Sequence, residues 1–129
     1  MSEQDVARLQ GAYRDFNAGN AETVLAMSDE NVEWIEPGGG NAPSGTFTGP
    51  QAVGEQVFAP IAQNFDEFVL SPENFDDQGD TVVVTGRFSG KNKNGADLDA
   101  AFTHTFEFED GKLVRFNNEV GEGWAAAWS

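Results

Sequence analysis

Two residues of this chain place a reactive side chain in an apolar setting, and they are Glu36 and His104. His104 is the one histidine of the sequence and lies within residues 97–109, where apolar and polar residues alternate. The alternation predicts a β-strand with one dry face, formed by Leu98, Ala100, Phe102, His104, Phe106 and Phe108. Burial disfavours a charged imidazole, so His104 is either a hydrogen-bonded core histidine or a neutral group in a pocket.

Glu36 stands immediately before Pro37 at the end of a strand predicted over residues 31–36. Val32, Trp34 and Glu36 share one face of that strand, which places the indole beside the carboxylate. A carboxylate moved from water into an apolar pocket has a raised pKa, so it can take a proton from a carbon next to a carbonyl. The alternative is a solvated acid at the end of a strand.

The charge of the chain excludes several classes of partner. Its 129 residues include 22 Asp and Glu against 7 Lys and Arg, a formal net charge of −15. Such a field repels nucleic-acid phosphates and anionic membranes, so neither is an expected partner. The chain has no cysteine and one histidine, which argues against thiolate chemistry and against a metal site. No cofactor is predicted.

The length and the apolar content predict one folded domain over residues 1–129. No apolar run approaches the roughly 18 to 20 residues that a membrane-spanning helix needs. The N-terminal residues are acidic, where a secretory signal would be basic and then apolar. We therefore expect the protein in the cytoplasm.

Helices are predicted in the first half of the chain. Apolar residues spaced three and four apart, up to Tyr13 and Phe16, predict an amphipathic first helix, and a second, short helix follows over residues 21–27. A loop rich in proline and glycine is predicted over residues 37–45. The third helix begins at Pro50, and Pro60 within its apolar pattern predicts a break near residues 56–59.

The second half of the chain is predicted to consist of β-strands joined by short turns, over residues 67–70, 81–89, 97–109 and 112–120. Helices followed by a run of strands are typical of an α+β fold. The strands are expected to be antiparallel, because the connections are too short for the helical crossovers of a parallel sheet.

This order of elements resembles the NTF2-like superfamily, in its branch of SnoaL-like polyketide cyclases and ketosteroid isomerases. The resemblance rests on FNAGN at 16–20, SDENVEW at 28–34, GTFTGPQAV at 45–53 and EDGKL at 109–113. It implies an α+β cone, in which a strongly curved antiparallel sheet wraps around three N-terminal helices and leaves a deep apolar pocket. It also implies a homodimer that packs through the outer face of the sheet.

The resemblance also implies roles for single residues. Ketosteroid isomerases have their general base immediately before a proline at the end of the first strand, which is the place of Glu36. Their acidic hydrogen-bond donor falls on His104 or on Thr103, and strand alternation favours His104. Their tyrosine falls about on Ala12, one residue from Tyr13. The implied pair is therefore Glu36 as base and His104 as donor or acid.

SnoaL-like cyclases imply a further acid or base near the end of the last strand. Their aspartate falls on Gly121 in this chain, and Glu119 is the carboxylate that we expect to replace it. Glu119 faces the pocket if a plain two-residue turn joins the last two strands, whereas a one-residue bulge turns Val114, Phe116, Asn118 and Val120 inward. A second bulge near Asn117 would return Glu119 to the pocket.

The expected function is that of a cofactor-independent isomerase or cyclase, which acts by proton transfer on a small hydrophobic carbonyl or cyclic compound. A variant that activates water, as a hydrolase or dehydratase does, would need a second carboxylate such as Glu119. The alternative is a non-catalytic module that binds an apolar ligand or assembles with other proteins. The pocket is predicted to be lined by Tyr13, Phe16, Trp34, Phe58, Phe102 and Phe106.

Overall fold

A computed structural model describes residues 2–129 of the chain. Its helices are α1 (Ser2–Asn17), α2 (Glu22–Ala26), α3 (Pro50–Val53), α4 (Ala59–Asn64) and α5 (Trp124–Ala127), with a π-helical turn (Gly54–Phe58) between α3 and α4. Its strands are β1 (Ser28–Pro37), β2 (Ser44–Thr48), β3 (Phe65–Asp77), β4 (Thr81–Asn92), β5 (Asp97–Glu109) and β6 (Lys112–Val120). None of these helices is long and apolar enough to cross a membrane.

The strands form a six-stranded sheet in the order β2-β1-β6-β5-β4-β3. Neighbouring strands are antiparallel except β1 and β6, which pair in parallel. The strands of the second half, β3 to β6, are antiparallel as predicted, and the parallel pair arises where β1 joins them. A parallel pair needs a long connection, and the chain between β1 and β6 supplies it with two helices and four strands.

The inner face of the sheet is the dry face that the sequence predicts. In β5 the residues at even positions from Leu98 to Phe108 are buried, while the odd positions are exposed or half-buried. Helix α1 packs on this inner face through Leu9, which is fully buried, and Tyr13, which is 7% exposed. The α+β fold predicted from the order of helices and strands is confirmed.

The sheet bends where β3 crosses Gly86 of β4. Strand β3 carries a bulge between Pro72 and Asn74, and Pro72 lies opposite Gly86. A Cβ atom at Gly86 would collide with the carbonyl oxygen of Ser71 and lie 2.8 Å from Cα of Pro72. Only glycine permits this close approach of the two backbones, which helps the sheet to curve around the helices.

The third helical segment contains the predicted break. It begins at Pro50, and the turn over Gly54–Phe58 is π-helical before α4 continues. Pro60 has no backbone N–H, so it cannot make the usual α-helical bond to the turn before it, and the backbone widens there instead.

Strands β1 and β4 are longer than predicted, over residues 28–37 and 81–92, and two other strands differ more strongly from the prediction. Residues 44–48 form the edge strand β2 and pair with residues 33–37 of β1. The prediction places residues 44 and 45 in the loop and assigns residues 46–48 to no element.

Strand β3 extends well beyond the predicted residues 67–70 and runs through Pro72. Strand β3 lies at the other edge of the sheet. Proline has no backbone N–H to donate, and an edge strand tolerates it because only one side of the strand has a neighbour to pair with.

Candidate active site

A cavity lies between the helices and the inner face of the sheet. Its empty space measures about 590 Å³ with the open mouth included. Most of its lining is aliphatic or aromatic, and the polar side chains that reach it include Tyr13, Glu36, His104 and Asn118. An apolar cleft with a few convergent polar groups is the usual form of a small-molecule site.

Glu36 is buried in this cavity near the end of β1, with 8% of its surface exposed. Its two carboxylate oxygens each accept one hydrogen bond. Trp34 Nε1 donates to Oε2 at 2.7 Å, and Asn118 Nδ2 donates to Oε1 at 3.0 Å. Burial raises the pKa of Glu36 to about 7, although the two hydrogen bonds oppose this rise by favouring the ionised form.

Strand alternation explains why Glu36 points inward. Val32 and Trp34 precede it on the same face of β1, and both are buried in the core. The parallel pairing of β1 with β6 places Ile35 beside Asn117, so Asn118 of β6 comes next to the end of β1. Asn118 lies 82 residues from Glu36 in the sequence, so only the pairing of the strands brings the two together.

His104 lies in the middle of β5 with 3% of its surface exposed. Its Nδ1 shares a hydrogen bond with the Tyr13 hydroxyl at 2.7 Å, and its ring stacks on Phe102 with the centroids 4.0 Å apart. Burial lowers the pKa of His104 to about 3, while a side-chain hydrogen bond with Asn118 opposes the shift. The imidazole is therefore neutral at physiological pH.

Tyr13 and His104 share one hydrogen and carry a second one. A neutral imidazole carries one N–H and a phenol carries one O–H, so the pair has two such hydrogens. Burial raises the pKa of Tyr13 well above its usual value, which keeps the phenol protonated. One hydrogen lies between Tyr13 Oη and His104 Nδ1, and the other stays on Nε2 of the ring or on the hydroxyl.

Asn118 is a site residue that was not among the predicted ones. A two-residue turn at residues 110–111 is followed by a bulge, so that Phe108 pairs with Leu113 and Glu107 with Arg115. This shift pairs His104 with Asn118 and turns Asn118 inward. A one-residue bulge after this turn was one of the alternatives that the sequence left open, and that alternative turned Asn118 inward. It did not assign a role to Asn118.

The same register overturns the predicted position of Glu119. Its side chain is exposed on the outer face of the sheet, where Asn117 Nδ2 lies 3.4 Å from Oε2. The prediction that Glu119 faces the pocket as a catalytic residue is wrong, because no second bulge follows the first and neighbouring residues of a strand face opposite sides. No other acidic side chain among residues 2–129 lines the cavity with Glu36.

Five of the six residues predicted for the pocket line it, namely Tyr13, Phe16, Trp34, Phe58 and Phe106. Phe102 does not, and that part of the prediction is wrong. Its ring is buried behind His104 and reaches over Gly86, where a Cβ atom would lie 2.8 Å from Phe102 Cζ. Phe102 therefore supports the imidazole and fills the space that the missing side chain leaves.

Comparisons with known proteins give the family. An NTF2-like protein of unknown function from Burkholderia pseudomallei is 25% identical over 90% of this chain and 89% of that chain, with a TM-score of 0.83. TerC, co-crystallised with polyporic acid, is also 25% identical, over 90% of each chain, with a TM-score of 0.79.

A protein from Pseudomonas putida, provisionally assigned as a polyketide cyclase, is 16% identical over 95% of this chain and 96% of that chain. Its TM-score of 0.77 supports the likeness of fold alone. A search of curated proteins found no match. The sequence model of the SnoaL-like domain matches residues 9–116, which is most of the chain. The chain therefore belongs to the SnoaL-like family, and its fold is that of NTF2-like proteins.

Proposed function

We propose that the protein is a cofactor-independent enzyme that transfers a proton within a small hydrophobic carbonyl compound, as an isomerase or a cyclase does. One observation carries the proposal. Glu36 is a buried acid that reaches an otherwise apolar cavity, and each of its oxygens is held by an N–H donor. With a pKa of about 7, Glu36 is both ionised in part at neutral pH and basic enough to accept a proton from carbon.

The Tyr13 and His104 pair is the proposed electrophile. When Glu36 removes a proton from the carbon next to the carbonyl, negative charge develops on the carbonyl oxygen. The hydrogen that the pair retains can be donated to this oxygen, and a donor fixed in an apolar site lowers the energy of the enolate more than water would. A neutral imidazole serves this role without a charge to desolvate.

Proton return completes the reaction. The carboxylic acid formed at Glu36 gives the proton back to another carbon of the enolate in an isomerisation. In a cyclisation the enolate carbon attacks a second carbonyl carbon of the same molecule, and the proton goes to the alkoxide oxygen that this attack forms. No oxidant, reductant or second substrate is needed, because the proton leaves and re-enters the same molecule. The Trp34 and Asn118 hydrogen bonds hold the carboxyl group in place between the two steps.

The cavity does not favour the water-activating variant. Hydrolase or dehydratase chemistry of that kind was expected to need a second carboxylate beside the first, and Glu119 lies outside the cavity. Isomerase or cyclase chemistry needs only one carboxyl group, since the same group takes and returns the proton. The proposal therefore retains the single-base mechanism.

Deuterium exchange tests the proposal directly. Cyclohexanone and cyclohexenone in D₂O report removal of a proton next to the carbonyl by NMR, whether or not a product forms. Wild-type protein is expected to accelerate exchange, and Glu36→Gln to lower the rate by about 100-fold or more. The matched control is Glu33→Gln on the same strand, whose side chain is 45% exposed and pairs with Arg115 on the outer face.

The alternative function is decided by the same samples. If the wild-type protein binds these ketones but exchanges their protons no faster than buffer does, the proton-transfer proposal fails. The protein would then be a module that holds an apolar ligand without transforming it, as the apolar lining of the cavity allows.

We also propose that the protein forms a homodimer through the outer face of the sheet. Thr103, Thr105 and Asn117 lie on that face near its middle and are half-buried in the single chain. Light scattering would give twice the chain mass of 13.9 kDa for a dimer. A mass of one chain at micromolar concentration would contradict this.

A further inference from the structure

Glu36 is the one side chain among residues 2–129 that brings a charge into the cavity at neutral pH. Tyr13 stays protonated there and His104 is neutral, so neither of them is charged. No lysine or arginine in this part of the chain lines the cavity, and all seven of these side chains are exposed. The cavity therefore holds an acidic group without a counter-charge.

The Glu36 carboxylate can accept further hydrogen bonds. Each of its oxygens has two lone pairs and uses one of them, on Trp34 or on Asn118. Burial has already removed water from this group in the free protein, as its raised pKa of about 7 shows. Desolvation of Glu36 therefore adds little to the cost of an ion pair with a ligand, which loses mainly its own hydration.

Aromatic rings surround the carboxylate. Nine of the eighteen residues that line the cavity are Phe, Tyr or Trp. The Trp34 indole, which donates to Glu36, lies 4.1 Å between centroids from the Phe116 ring and 5.5 Å from the Phe58 ring, which is nearly perpendicular to it. Rings at such different angles present faces as well as edges to the space between them, and a ring face attracts a cation. This lining suits an organic ammonium ion.

We infer that the cavity selects its ligands by charge: it binds hydrophobic amines in their protonated form, with the ammonium group on Glu36, and rejects carboxylates and phosphates. An anion would place a second negative charge beside Glu36 with no cation to compensate it, inside a protein whose net charge is −15. The rejection of anions rests on the proposed function where it narrows the substrates to carbonyl compounds without an acidic group. The binding of amines goes beyond that function, because an ammonium ion on Glu36 occupies the base.

Three cyclohexane derivatives of similar shape test the selection, namely cyclohexylamine, cyclohexanol and cyclohexanecarboxylate. Their dissociation constants would be measured by NMR titration at pH 8.5, where Glu36 is ionised and the amine, like a lysine side chain, is protonated. The amine is expected to bind at least about tenfold more tightly than the alcohol, and the carboxylate at least about tenfold more weakly. An amine that binds no more tightly than the alcohol overturns the inference, and so does a carboxylate that binds as well as the alcohol.

Glu36→Gln locates the bound cation. The preference for the amine over the alcohol should disappear in Glu36→Gln, because the amide carries no charge. It should persist in the matched control Glu33→Gln, since the Glu33 side chain is 45% exposed on the outer face of the sheet. A preference that survives in Glu36→Gln would mean that the amine binds to the acidic outer surface, which overturns the inference.

The wild-type protein provides a measurement that does not depend on a variant that folds. At pH 5 Glu36 is protonated, so the preference for the amine should disappear in the wild type as well. An ordinary carboxyl group, with a pKa of about 4, is still ionised at pH 5, so binding to the outer surface would keep the preference. A preference that is the same at pH 5 and pH 8.5 refutes the inference. None of these assays requires turnover, so failure of the proton-transfer proposal in the exchange experiment and failure of this inference give separate results.

Discussion

Burial of Glu36 should make the protein less stable as the pH rises. The pKa of this carboxyl group is 4.5 without perturbation and about 7 in the folded protein. Because the folded protein binds the proton more tightly than the unfolded chain, the stabilisation is fully present below pH 4.5 and is lost as the pH rises through 7. The difference of about 2.5 in pKa corresponds to about 3 kcal/mol in total.

Glu36→Gln isolates this contribution, because the amide has nearly the shape of the carboxyl group and carries no charge. The free energy of unfolding would be measured with urea at pH 5 and at pH 8.5 for both proteins. Other titrating groups are common to both and cancel in the difference between them. Linkage between the two pKa values predicts that the wild type loses about 2 to 3 kcal/mol more than Glu36→Gln over this range.

A difference below about 0.5 kcal/mol would refute the reasoning, because a carboxylate that costs nothing to ionise in the folded state is not desolvated. A difference of the opposite sign would mean that the Trp34 and Asn118 hydrogen bonds outweigh burial, so that the pKa of Glu36 is lowered. In either case Glu36 would lose the raised pKa on which its role as base depends. Glu33→Gln is the control for the substitution itself, and its free energy of unfolding should change by the same amount as that of the wild type between pH 5 and pH 8.5, since the Glu33 side chain is 45% exposed on the outer face.

The hydrogen bonds and packing around the site give three further predictions. Tyr13→Phe leaves Nδ1 of His104 buried without a partner and should cost about 1 to 3 kcal/mol in urea unfolding at pH 7. The ring-proton NMR signals of His104 should not titrate between pH 5 and 8, because its pKa is about 3; a midpoint near 6.5 would contradict its burial. Gly86→Ala should lower the free energy of unfolding by more than about 2 kcal/mol, because the added Cβ atom collides with strand β3. Gly121→Ala is its control: a Cβ atom there meets nothing closer than 3.6 Å, so the free energy of unfolding should change by less than about 0.5 kcal/mol.

The sequence by itself determined the elements whose pattern is local. The bounds predicted for β5 and β6 agree with the structure, because alternation of apolar and polar residues marks each strand and Asp110 and Gly111 mark the turn between them. The break before Pro60 was predictable in the same way, since the missing N–H is a property of the residue itself. The inward face of Glu36 also followed from alternation with Val32 and Trp34.

Pairing between distant strands decided what the sequence left open. Strand β2 and the far end of β3 have weak patterns of their own, and their extended form depends on the neighbours that supply hydrogen bonds. The bulge in β6 decided that Asn118 faces the cavity and Glu119 does not, because a slip of one residue turns every following side chain to the other face. The contact of Tyr13 with His104 spans 91 residues, so only the packing of α1 on the sheet brings these two groups together.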